Sequence, residues 1–121
     1  MIVLSEIDAH LIRRLKSSLE TTFDCSLEIR YKLNNLKFAY DRRRNQYISP
    51  GLLSRLNRIK RSPGDKILGV VNVDLYSPEY DFVYGEADVN AGVAALSTYR
   101  LISENPNSQS VNQMIIYLRR G

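Results

Sequence analysis

An unbroken apolar run from Ile67 to Val71 is the feature that most limits how this chain can fold. Without a polar residue to turn toward water, it predicts a central strand buried on both faces, and such a strand needs a covering layer on each side of its sheet. Two helices can supply the layers. Ser5 is positioned to cap the first, with Asp8 three residues on, and Ile7, Leu11, Leu15 and Leu19 then form one apolar stripe, with Arg13, Arg14 and Lys16 to Ser18 facing solvent. Ser49 is positioned to cap the second, with Pro50 at its first position, Leu52, Leu53, Leu56 and Ile59 on one face, and a stop at Ser62 to Asp65.

The remaining strands follow from the same patterning. Met1 to Leu4 is too short for a helix and reads as a first buried strand, and Cys25, Leu27, Ile29 and Tyr31 alternate with polar residues at the period of a half-buried strand. Leu36 to Tyr47 has no clean period and reads as an irregular basic connection. After Lys66 to Tyr76, a turn at Ser77 to Glu79 leads to a strand over Phe82 to Ala87, and a second turn near Asn90 to Gly92 leads to another over Val93 to Ser97. The predicted order is β-α-β-α-β-β-β. It implies an α/β fold with a mostly parallel sheet and an antiparallel strand near its edge. Ser103 to Ser110 reads as a polar loop, and Val111, Met114, Ile115 and Leu118 as the apolar stripe of a third helix. With 121 residues and no linker-like segment, residues 1–121 are expected to form one domain.

Charge is unevenly placed. Up to Lys66, Lys and Arg outnumber acids 14 to 7; from Ile67 onward acids lead 6 to 3. Arg42 to Arg44 and Lys60-Arg61 are the densest basic points, and a phosphate backbone is one partner they could attract. Only Tyr40 and Tyr47 flank the arginine run, however, and no nucleic-acid-binding motif is present, so a solvated basic face is favoured over a nucleic-acid site. A signal peptide and an apolar stretch of about 18 residues are both missing, and the single cysteine, Cys25, fits a reducing compartment, so a cytoplasmic protein without membrane partners is expected.

Few catalytic routes are open. His10 is the one histidine, and no His-Glu-x-x-His or Cys-x-x-Cys spacing exists, so neither catalytic nor metal-ligating residues are assigned and no cofactor is expected in this chain. Glycine loops for phosphate and a Gly-x-Ser-x-Gly elbow are likewise missing. Asp74, Asp81, Glu86 and Asp88 fall at or near strand ends, where turn and backbone hydrogen bonding accounts for acids more often than catalysis does.

Taken in order, Ile67 to Tyr76, Pro78, Phe82 to Ala87, Val93 to Ser97 and Arg100-Leu101 resemble the central block of the archaemetzincins, a family of zinc metallopeptidases. Ala39-Tyr40, Arg43 to Tyr47 and Leu52-Leu53 are similar to the segment before that block. The resemblance covers about residues 1–101; residues 102–121 diverge. It implies a metzincin-like fold in which a truncated catalytic domain stops before the zinc-binding helix. A truncated or degenerate peptidase, inactive alone, is the expectation that follows. By the same resemblance, Phe82, Val83, Tyr84, Gly85, Glu86 and Ala87 would be the edge strand that pairs with an extended peptide. Peptide would be a substrate only if the zinc helix came from elsewhere. An interaction module is the alternative, its partner a second copy or a complementary chain on the Val111 to Leu118 stripe.

Overall fold

The computed structural model describes residues 1–24, 26–32, 35–62 and 64–100. Cys25 and the expected third helix lie outside them. The apolar run Ile67 to Val71 forms strand β5 (Ile67–Val71) at the centre of a five-stranded sheet, ordered β2-β1-β5-β9-β8. Strands β1 (Ile2–Val3), β2 (Arg30–Tyr31), β5 and β9 (Val93–Ser97) run parallel, and β8 (Gly85–Asp88) pairs antiparallel with β9 at the edge. This is the mostly parallel α/β sheet with an antiparallel edge strand that the sequence predicts.

Alternate residues of β5 divide two cores. Val70 joins Met1, Val3 and Leu96 beneath helix α1 (Ala9–Phe23), which buries Ile12, Leu15 and Leu19. Ile67 and Val71 join Val93 and Ala95 beneath helix α2 (Ser49–Arg58), whose Leu52 and Leu56 are fully buried. Each such leucine contributes about 1.5–3 kcal/mol by leaving water. Gly69 lets α2 come this close, because a Cβ there would lie 2.7 Å from both methyl carbons of Leu56.

Both helix starts differ from expectation. Asp8, rather than Ser5, caps α1, its carboxylate accepting from the N–H groups of His10 at 2.7 Å and Leu11 at 3.4 Å. A carboxylate at this position also complements the helix dipole, which a serine hydroxyl does less well. At α2 the cap position falls on Ile48, which makes no side-chain bond, and Ser49 inside the helix is fully buried with its hydroxyl turned to Glu86 on β8. That carboxylate is a stronger acceptor than anything the helix end offers.

The expected strand over residues 25–31 is cut to Arg30–Tyr31 because its partner β1 has only two residues to offer. Leu27 instead donates its N–H to Glu20 of α1 at 2.8 Å. The segment read as irregular is ordered: a 3-10 helix (Leu36–Ala39) leads to β3 (Tyr40–Asp41), a four-residue arginine-rich turn with Asn45 at φ 52°, and β4 (Gln46–Ile48). Tyr40 and Tyr47 pair across this hairpin with ring centroids 5.0 Å apart and planes inclined at 50°. The hairpin founds a second sheet, ordered β3-β4-β6-β7, with β6 (Leu75–Ser77) parallel to β4 and antiparallel to β7 (Tyr80–Val83). Among the described residues no helix is long and apolar enough to cross a membrane.

Candidate functional site

The run Phe82 to Ala87 is divided between the two sheets. Phe82 and Val83 end β7, Tyr84 makes the crossing, and Gly85, Glu86 and Ala87 belong to β8. The last three therefore lie on the edge strand of the five-stranded sheet, while Phe82 and Val83 lie on the outer strand of the other. β8 pairs with β9 in the register Gly85 with Leu96, Glu86 with Ala95, and Ala87 with Ala94. Ser97 donates its N–H to the Tyr84 carbonyl at 2.8 Å, which sets the phase of the ladder. Antiparallel pairs alternate between bonded and non-bonded, so Glu86 bonds toward β9 while the N–H and C=O of Gly85 and Ala87 point to the open side. Of these two residues Gly85 is buried and Ala87 is exposed. No described strand pairs on that side.

Three contacts fix this edge. Glu86 accepts the hydroxyl hydrogen bond of buried Ser49, pinning β8 to the start of α2. At Gly85 there is no room for a side chain against β9: a Cβ would meet the Ala95 carbonyl oxygen at 2.7 Å. Before the crossing, Phe82 carries the Arg100 guanidinium on its ring face at 3.9 Å and meets Tyr84 edge-on at 5.6 Å.

Arg100 belongs to a chain of polar contacts at the carboxyl end of the parallel strands, where α/β folds commonly place function. Its Nε and Nη2 grip both oxygens of Asp74 at 2.7 and 3.1 Å. Gln46 donates to the same carboxylate at 3.1 Å and to the Asp81 carbonyl at 2.8 Å, and Arg44 bonds Gln46 at 2.9 Å while stacking 3.9 Å over Tyr76. Tyr76 in turn donates its hydroxyl to Asp41 at 2.6 Å. That bond, followed by N–H groups of the hairpin turn, holds the Asp41 carboxyl below its ordinary range, and Asp41 pushes the Tyr76 phenol above its own. The sequence pattern gave no sign of this network, whose bonds, apart from local ones such as that between Arg44 and Gln46, join residues 26 to 35 apart in the chain.

Three of the four strand-end acids have a partner for the carboxylate, and the fourth, Asp81, takes part through its backbone. Asp74 is ion-paired, Glu86 holds Ser49, Asp88 accepts from the Ala91 N–H at 3.1 Å, and Asp81 offers its backbone carbonyl to Arg44 and Gln46. His10 sits exposed near the start of α1, 3.2 Å from Arg13. Among the described residues no three of His, Cys, Asp and Glu come together in a group that could hold a metal.

No protein-family model matches the sequence. The chain is similar to the archaemetzincin of Pyrococcus horikoshii, 38% identical over 73 residues that make up 60% of this chain and 39% of that protein. It is 28% identical to the archaemetzincin of Halobacterium salinarum over 101 residues, 84% of this chain and 57% of the relative. The crystal structure of the Methanopyrus kandleri archaemetzincin superimposes with a TM-score of 0.74 at 25% identity, over 97% of this chain and 66% of that one. The chain thus spans roughly half the length of the curated relatives it matches.

Proposed function

Because this chain is related to the archaemetzincins in both sequence and fold, we propose that it forms the peptide-docking side of a metzincin-type scaffold and does not cleave peptides by itself. The observation that carries this reading is the open edge of β8. Ala87, whose N–H and C=O face away from β9, is an exposed residue, and Glu86 is held by Ser49. An extended peptide can add there as a further strand through main-chain bonds, a mode that asks little of its side chains.

Zinc is the metal of the peptidases the chain resembles, and the described residues do not fit it. A catalytic zinc needs three converging protein ligands, whereas His10 stands on α1, Asp74, Glu86 and Asp88 are each engaged by a different partner, and no three such residues come together among those described. The sequence contains no His-Glu-x-x-His spacing. No hydrolytic step is assigned to residues 1–100.

The reading is tested by fluorescence anisotropy with a labelled extended peptide, alongside metal analysis of the purified chain. Ala87→Pro removes the outward N–H while sparing the bonds to β9, and is expected to weaken peptide binding at least about fivefold. Equal binding by Ala87→Pro, with its fold intact by circular dichroism, refutes the docking edge. Stoichiometric zinc with chelator-sensitive peptide hydrolysis refutes the lack of activity.

A further inference from the structure

A hollow of about 410 Å³ opens at the other end of the sheet, where β1, β2 and β5 begin. Three cationic side chains from separate parts of the chain line it, half-buried Arg30 on β2, exposed Arg61 beyond α2 and exposed Lys66 before β5, beside the Met1 amino group, which donates to the Glu28 carbonyl at 2.7 Å. None of the three forms an ion pair with a described residue. Among other half-buried basic side chains, Lys16 has Glu20, Arg55 lies on an aromatic ring and Arg100 has Asp74, so Arg30 stands apart from them. Two carboxylates also line the hollow. Asp65 is engaged by the Ser62 N–H and hydroxyl, both at 3.1 Å, which leaves Glu28 as the one without a side-chain bond among those described. Like charges gathered around one concave surface repel, and an anion seated among them relieves that cost.

We propose that this cleft binds a small phosphorylated molecule, its phosphate taken by Arg30, Arg61 and Lys66. Two guanidinium forks match the geometry of phosphate oxygens and an ammonium adds a point charge, a combination less suited to a lone carboxylate. The volume lies within the range of small-molecule sites. A polynucleotide would instead track an open basic surface such as the Arg42–Arg44 turn, away from the cleft. The site is independent of the β8 edge, so its failure leaves the peptide-docking reading untouched.

Calorimetric titration of the 121-residue chain with inorganic pyrophosphate at constant ionic strength tests this. One saturating site is expected, with Kd below about 1 mM, weakened at least about tenfold by the double change Arg61→Gln and Lys66→Gln. Both side chains are exposed, so the fold is expected to survive; Arg30→Gln gives a second, independent loss. Arg42→Gln with Arg43→Gln is expected to leave the affinity within about twofold. Lack of saturation, equal loss in the two double variants, or equal affinity for citrate overturns the proposal. So does tighter binding of a single-stranded oligonucleotide that falls steeply with salt.

Discussion

Gly85→Ala sets two opposite effects against each other. Replacing glycine removes freedom from the unfolded chain, which by itself stabilises by about 0.4–1 kcal/mol. Against this, the new methyl carbon would stand 2.7 Å from the Ala95 carbonyl oxygen and 3.3 Å from a Leu96 methyl carbon. The carbonyl is backbone in the adjoining strand and cannot rotate away, so β8 must lift from β9. Overpacking of this kind costs roughly 1–3 kcal/mol, and the net expectation is a loss of about 1–2 kcal/mol. For a chain of this size that corresponds to a fall in Tm of roughly 4 °C per kcal/mol. In urea, with a slope of about 1.5 kcal/mol/M, the midpoint should drop by about 1 M. Gly64→Ala is the control: nothing lies within 4 Å of its Cβ position, and it should be neutral or stabilising. The reasoning fails if Gly85→Ala unfolds at the same or a higher urea concentration than the parent while Gly64→Ala behaves as expected.

Three other outcomes can be checked by the same unfolding measurements. Leu52→Ala empties a fully buried site between α2 and the main sheet and should cost about 2–5 kcal/mol; a loss under 1 kcal/mol would mean the core beneath α2 is loosely packed. Asp74→Asn keeps the shape but removes the charge that Arg100 and Gln46 grip, for an expected loss of about 1–2 kcal/mol, and unchanged stability would argue that the sheet-end network is incidental. The Asp41 carboxyl is held below its unfolded value, so its contribution is present above about pH 4 and fades as pH falls through the lowered folded value. Asp41→Asn should therefore flatten the acid side of a stability curve measured from pH 7 to 3, and superimposable curves would remove Asp41 from the account.

What could be read from the sequence was whatever depends on neighbours along the chain. The Ile67 to Val71 run announced a doubly covered strand because burial on both faces leaves no polar residue in it. The α2 stripe was legible for the same reason, with Leu52 and Leu56 found fully buried. Asp8 was recognised as part of the α1 start but assigned three positions too far into the helix, since a serine followed by an acid imitates a capping box. The Arg42–Asn45 turn escaped notice because arginines are weak turn signals, although Tyr40 and Tyr47 on either side form a cross-strand pair. For the edge strand, the sequence marked residues 82–87 as a unit, yet no local pattern could divide it between two sheets: the split depends on Leu75 pairing with Val83 and Leu96 with Gly85. The Asp74–Arg100 and Ser49–Glu86 contacts were beyond reach, because each joins residues that only the topology brings together.

The crossing at Tyr84 leaves no slack in the chain. β7 ends at Val83 and β8 begins at Gly85, so one residue ties the outer strand of one sheet to the edge of the other. A one-residue insertion at this point would turn every following side chain of β8 to the opposite face. The carboxylate at 86 would leave Ser49, and the outward backbone groups of Ala87 would exchange places with those bonded to β9. An added residue is expected to cost far less beside Gly64 and Asp65, which are exposed, than at Tyr84.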